Sequence, residues 1–336
     1  MVLMTMCLGY FAASEVVCAA EAPGETVRLD VILDWYPNAI HTFLYEAQQN
    51  GYFAREGLDV HLITPAQSVD AVNFVASKRA QIGLSYPVDI IMAYEAGMPV
   101  ISIGAVSQKA LDCMCSLASN EGITEDMKSL EGKTIGYAGT RVSKAVVDTV
   151  TGNAGLTEKD FTLLNVGFDL VTSLTTGNAD LVVGTFINDE IVTMQNMGYE
   201  LQVFSEQDYG VPELYGLVLC ANREDYEAQP EVYERFLKAC RDGFEDMKSD
   251  EDAALDLIMS VMNSADNPLD EAQQRQSWEI LLPRMETSDA DFLSMDKEVW
   301  QEIIQWMTDT QQIDSPVAAG DVMVDDITAA GTAAVQ

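Results

Sequence analysis

Basic residues are scarce: 18 Lys and Arg stand against 54 Asp and Glu in 336 residues, a formal charge of −36 at pH 7. Nucleic acids and anionic membrane surfaces are held by patches of Lys and Arg, so this balance excludes them as main partners. Histidine is rarer still, with His41 and His61 alone, and the six cysteines are scattered without a CxxC pair. There is no HExxH segment and no zinc-ligand cluster, and a metalloenzyme is not expected. Two histidines supply no evident Ser/His/Asp or Cys/His constellation, and no GxxxxGK[ST] phosphate loop is present. We expect neither metal nor cofactor. Apolar material is abundant, at 48% of the chain, enough to fill two lobes of roughly 100–200 residues each.

Residues 1–20, MVLMTMCLGYFAASEVVCAA, carry one charged side chain, Glu15, and the first basic residue of the chain is Arg28. An apolar stretch followed by Ala19, Ala20 and Ala22, then Pro23 and Gly24, has the pattern of a secretory segment with its cleavage zone. Residues 1–25 are therefore expected to be a signal or export segment. The protein would work in the periplasm or at the cell surface. An uncleaved anchor is the alternative, since spanning takes about 20 apolar residues. Nothing later in the chain is apolar for that length. Cys113, Cys115, Cys220 and Cys240 make no disulfide scaffold and are expected to be small buried apolar residues.

From Arg28 onward short apolar runs alternate with amphipathic stretches. Strands are expected at 27–35, 58–64, 81–85 and 99–107, with helices at 41–57, 68–80 and 88–97 between them. The pattern restarts with a polar approach to a strand at 134–138, followed by strands at 161–167, 179–186 and 199–205 and helices at 143–155, 170–178 and 189–198. A returning strand is expected at 215–222, and residues 230–310 read as mainly helical. Alternation without hairpin signals predicts α/β architecture with parallel, doubly wound sheets. The second unit is inserted in the first: lobe 1 at 26–115 and 214–315, lobe 2 at 116–213, connecting segments near 112–120 and 212–216, and a loosely packed tail at 316–336. A small ligand belongs in the cleft between such lobes. Without a coiled-coil or amphipathic interface stripe, a monomer is expected.

The stretch LDWYPNAIHTFLYEAQQNGYFAREGLDV (33–60) is the most specific part of the chain. Asp34, Trp35, Pro37, Asn38, His41 and Tyr45, then Gly51-Tyr52-Phe53 and Glu56-Gly57-Leu58, resemble the opening of the thiamine-pyrimidine-precursor family. The similarity continues through 81–106, 129–139, 179–200 and 219–239. That family joins substrate-binding proteins of ABC importers with fungal enzymes that build the thiamine pyrimidine. The resemblance implies a two-lobed type II periplasmic-binding-protein fold. It also implies formylaminopyrimidine or hydroxymethylpyrimidine as ligand and an ABC permease as partner. The fungal enzymes carry a cysteine-rich iron-binding run before the return strand and a lysine for pyridoxal phosphate. Here the corresponding stretch, YGVPELYGLVLCAN (209–222), has the single cysteine Cys220, and no lysine matches. Binding without chemistry is the expectation. Its rivals are a pyrimidine-synthesising enzyme and a binder of the same fold for riboflavin, a sulfonate or nitrate.

Trp35 and Tyr36 follow the first strand, where open α/β sheets place ligands; their rings would stack a flat heteroaromatic or serve as lid and core packing. Asn38 offers a donor and an acceptor to a ring edge, or caps the following helix. The resemblance places His41 facing the cleft as a neutral hydrogen-bonding group, against an ordinary first-turn role; His61 is expected to be structural. Tyr86, with Ser85 and Pro87, follows the strand at 81–85 and would close over or hydrogen-bond the ligand. Gly139, Thr140 and Ser143 turn into a helix whose free N–H groups suit an oxygen or anion, with Arg141 beside them. By the resemblance Glu190 reaches an exocyclic amine of the pyrimidine, with Asn188 and Asp189 as near alternatives, one of which caps the helix. Tyr209 and Tyr215 are candidates for an aromatic wall.

Overall fold

A computed structural model describes residues 26–66, 70–262 and 270–324, so the expected export segment lies outside the described residues. The chain begins with strands β1 (Val27–Ile32), β2 (Leu58–Ile63), β3 (Ile82–Ser85) and β4 (Val100–Ser107). Between them lie helices α1 (Thr42–Gln49), α2 (Tyr52–Arg55), α3 (Asp70–Ala76) and α4 (Pro87–Glu95). A second set follows: β5 (Asp112–Leu117), β6 (Thr134–Tyr137), β7 (Thr162–Asn165), β8 (Leu181–Phe186) and β9 (Leu201–Phe204). Helices α5 (Arg141–Asn153), α6 (Leu170–Thr175) and α7 (Glu190–Asn196) cover it. The chain then returns as β10 (Leu217–Asn222) and runs through α8 (Arg223–Ala228), α9 (Pro230–Ser249), α10 (Glu251–Met262), α11 (Glu271–Met285) and α12 (Lys297–Asp309).

Two five-stranded sheets result, ordered β2-β1-β3-β10-β4 and β7-β6-β8-β5-β9. The parallel reading holds for β1, β2 and β3 and for β6, β7 and β8, but β10 and β5 run antiparallel to their neighbours. Topology explains the exception. Each of these strands begins where the chain has just crossed from the other sheet. It therefore enters from the side on which the parallel strands end, and runs against them. As a result, the carboxyl ends of the parallel strands in both sheets point into one shared space.

Two expectations are corrected. Residues 112–117, read as part of a connection, form β5 between β8 and β9, with Cys113 and Cys115 buried. The mixed run DCMCSL carries no apolar alternation that sequence alone would pick out. The tail is docked as far as it is described: Ser102 donates to the Val322 carbonyl at 2.8 Å and Val324 donates back to the Ser102 carbonyl at 3.0 Å. This cover leaves every residue of the edge strand β4 buried and closes an edge that would otherwise be open to pairing.

Helix α1 carries the most specific sequence segment, and it is fixed from behind by α9. The buried face of α9 contains Val232, Phe236, Leu237, Cys240, Phe244 and Met247, at helical spacing. Gly243 lets the two helices touch: a Cβ there would stand 2.3 Å from the Phe43 carbonyl oxygen and 2.8 Å from the Ala47 nitrogen.

Candidate functional site

A narrow cleft lies where the two sheets face each other. From the first sheet come Asp34 and Trp35 after β1, Asn38 and Ile40 ahead of α1, and Tyr86 at the head of α4. The second supplies Ala138 and Thr140 after β6, Gly184 and Phe186 of β8, Asp189 and Glu190 at the start of α7, and Asp112 at the start of β5. Four carboxyl groups and three aromatic rings thus share one space, with no Lys or Arg among the described lining residues.

Asp34 organises the first-sheet wall. It is 2% exposed, receives the Tyr86 hydroxyl at 2.9 Å, and lies 3.0 Å from Nε2 of His41. Nδ1 of His41 accepts the Asn38 N–H at 3.2 Å. The ring proton is therefore on Nε2, and His41 donates to Asp34. His41 is fully buried and sits one layer behind the cleft instead of facing it. Its work is to hold Asp34 and the turn before α1, because the helix start turns the ring inward. Asn38 meets both of its readings: Oδ1 caps the turn by accepting the Ile40 N–H at 3.1 Å, and the residue lines the cleft.

The aromatic rings also bridge the sheets. Phe168, in the loop between β7 and α6, meets Trp35 edge to face at 4.1 Å between centroids and Tyr36 at 5.0 Å. Tyr36 thus packs on Phe168 and is not part of the lining. Tyr86 faces Phe186 at 6.3 Å with planes at 88°.

The second-sheet side carries the charge. Glu190 accepts the Phe186 N–H at 2.8 Å. Burial, with the Asp189 charge beside it, pushes its carboxyl up to about 8. Asp189 accepts Nε2 of Gln273 at 2.8 Å; burial raises it to about 6, against the lowering effect of that hydrogen bond. Asp112 is raised by burial to about 7, with Asp34 adding repulsion. Helix α11 anchors both walls: Gln274 accepts the Ala39 N–H, Trp278 donates to the Ala39 carbonyl, and Ser277 receives Nδ2 of Asn188 at 3.0 Å.

Of the expected site residues, Trp35, Asn38, Tyr86, Thr140 and Glu190 come together in the lining, Thr140 with its hydroxyl spent on capping α5 through the Ser143 N–H. His41, Tyr36, Gly139 and Asn188 do not. Asn188 is turned to α11, since its backbone lies past the strand end where the chain enters α7. Gly139, at φ +78°, opens into a neighbouring cavity with Ser85, Asp89 and Arg141. In that cavity burial lifts Asp89 to about 6, and Arg141 across the gap opposes the shift. Tyr215 instead packs on Trp300 and receives the Asp296 N–H, and Tyr209 packs on Phe204. Sequence reasoning missed Asp34, Asp112, Phe186 and Phe168 as site residues. Asp34, Phe186 and Phe168 carried one usable signal, a polar or aromatic residue just at or past a strand's carboxyl end.

Two α/β lobes, the second built into the first, with an aromatic and acidic cleft at the carboxyl ends of both sets of strands, define the two-lobed type II periplasmic-binding-protein fold. The alkanesulfonate-binding protein SsuA of Xanthomonas axonopodis pv. citri has this fold, with a TM-score of 0.70 over 90% of this chain and 99% of that one, at 12% identity. A family model described as NMT1/THI5 like matches residues 38–254, and the chain belongs to that family. A formylaminopyrimidine-binding protein of Halalkalibacterium halodurans is 38% identical over 297 residues, covering 88% of this chain and 89% of that one. A 4-amino-5-hydroxymethyl-2-methylpyrimidine phosphate synthase of Saccharomyces cerevisiae is 26% identical over 225 residues, covering 64% of this chain and 66% of that one.

Proposed function

We propose that the protein is the substrate-binding component of an ABC importer and captures a thiamine pyrimidine precursor, formylaminopyrimidine or hydroxymethylpyrimidine. The observation that carries this reading is the lining of the cleft: aromatic rings beside four carboxyl groups and no basic side chain among the described residues. Such a site suits a flat ring rich in N–H donors, because stacking fills the apolar walls and each buried carboxylate needs a donor to offset its lost hydration. It is ill suited to a sulfonate or nitrate, which the same carboxylates would repel. The name of the 38% identical relative supports the ligand class.

In this reading Trp35, Tyr86 and Phe186 clasp the ring, Glu190 accepts its exocyclic amine and Asn38 reads an edge, while His41 acts through Asp34. Capture proceeds by hinge closure: a ligand touching both lobes favours the closed form, which presents itself to the permease. Export to the periplasm or cell surface and a monomeric state belong to the same proposal. Catalysis is not part of it. Cys220, the single cysteine in the stretch that corresponds to the fungal iron-binding run, is buried in β10 with its thiol pushed up to about 12 by burial, and is no exposed thiolate.

Calorimetry with both pyrimidines, on the wild type and on Trp35→Ala and Glu190→Ala, tests the proposal. Binding by the wild type and weakened binding by both variants is the expected result. Absence of heat with either ligand would overturn the ligand class, and unchanged affinity in both variants would overturn the site.

A further inference from the structure

Three of the four cleft carboxyl groups have protein partners. Asp34 is held by His41 and Tyr86, Asp189 by Gln273, and Glu190 by the Phe186 N–H. Asp112 differs: among the described residues its only donor is its own backbone N–H, and it makes no ion pair. Lys109 and Arg284 border a second cavity that Asp112 also lines, but Lys109 pairs with Glu213 and Arg284 donates to the Ile280 carbonyl. On the cleft side His41 stands behind Asp34, and the groups nearest Asp112 are acids or weak acids. Asp34 follows β1, Tyr86 heads α4, Glu190 heads α7 and Cys113 is next along β5. The last is Glu206, in the short turn Glu206–Tyr209 after β9. Glu206 is fully buried, with neither carboxyl oxygen bonded. Burial and the Asp112 charge hold it well above the usual carboxylate range. A bare Asp112 carboxylate would therefore have no ion-pair partner and no side-chain donor among the described residues to offset its desolvation.

We propose that Asp112 is a further recognition residue of this cleft, meeting the ring nitrogen and amine of the ligand, and that capture is coupled to the uptake of one proton. This deepens the pyrimidine reading and rests on it. The proton sits in one of two equivalent places. On the ring nitrogen it makes the ligand a two-pronged N–H donor to the Asp112 carboxylate. On Asp112 it makes the carboxyl a donor to the neutral ring nitrogen, while the other oxygen accepts from the amine. The atoms and the charge are the same in both, and the complex carries one proton more than the open protein and free ligand.

Calorimetry of wild-type protein with formylaminopyrimidine, in buffers of different ionisation enthalpy, counts that proton directly. The expected result is an uptake of about one proton per ligand near neutral pH, with affinity falling about tenfold per pH unit from about pH 7 to about pH 8. The near-isosteric variant Asp112→Asn, checked for an unchanged melting temperature, should bind at least about tenfold more weakly and lose most of the proton uptake. Wild-type binding with no proton exchange, or a variant that keeps both affinity and proton count, overturns the assignment of Asp112 and leaves the pyrimidine reading standing. Failure of the wild type to bind overturns both.

Discussion

The rings of Trp35 and Phe168 meet edge to face, centroids 4.1 Å apart and planes at 83°, and they come from opposite sheets of the molecule. Opening the cleft has to separate them, so the pair stabilises the closed state. An aromatic pair of this geometry contributes about 1 kcal/mol beyond burial. Phe168→Ala should therefore weaken ligand affinity about fivefold, chiefly through faster release. Stopped-flow tryptophan fluorescence measures the release rate, and an unaltered rate would remove this contact from the closing mechanism.

Glu190 lines the cleft and receives the Phe186 N–H at 2.8 Å. Above about pH 8, where the Glu190 carboxyl is ionised, a hydrogen bond to it is worth about 1.5–3 kcal/mol, so Glu190→Gln should there weaken binding of an amine-bearing pyrimidine roughly 10- to 100-fold. An analogue without the exocyclic amine should lose far less. Equal losses for both ligands would show that Glu190 shapes the wall and does not read the amine.

Glu206 is buried without a partner, and its folded-state pKa is raised by burial. The folded protein then binds more protons than the unfolded chain wherever the unfolded carboxyl has ionised. The contribution is fully present below the unfolded pKa and is lost as pH rises above it. Glu206→Gln should accordingly raise the melting temperature at alkaline pH, have little effect in acid, and flatten the pH dependence between. Parallel melting curves for variant and wild type at all pH values would contradict this account.

Gly243 is the contact point of α9 with α1, where a Cβ would come within 2.3 Å of the Phe43 carbonyl oxygen. Main chain on both sides leaves no flexible side chain to yield. Gly243→Ala should destabilise the fold by about 2 kcal/mol or more. Because α1 follows the Asn38–His41 turn, affinity should fall as well. Denaturant unfolding and calorimetry on the same preparation check both effects.

Much of the scaffold was legible in the chain. The strands at 27–32 and 58–63 and the helix at 87–95 fall close to their expected positions, because their apolar spacing matches the period of the element. That Trp35 would line the cleft was also legible, since a residue just past a strand end in an α/β sheet falls in its crevice, whereas Glu190 was reached through the family resemblance. His41 was misplaced because its position at a helix start leaves undecided which way the ring turns. Partners within the wall decided it, with Asp34 on one nitrogen and the Asn38 N–H on the other.

By itself the sequence determined the α/β alternation, the nested pair of lobes and an opening motif whose residues gather at one strand end. Local patterns suffice for these, because hydrophobic period and strand-end position are properties of neighbouring residues. Only the tertiary structure decided the cleft itself. It made 112–117 a strand and so brought Asp112 to the wall, set Phe168 against Trp35, and placed Asn38 beside Asp189, 151 residues away. Those meetings depend on where the chain crosses between sheets and on how closely two packed lobes approach. The scarcity of basic residues has its counterpart there, in a cleft lined by four carboxyl groups and, among the described lining residues, by no Lys or Arg.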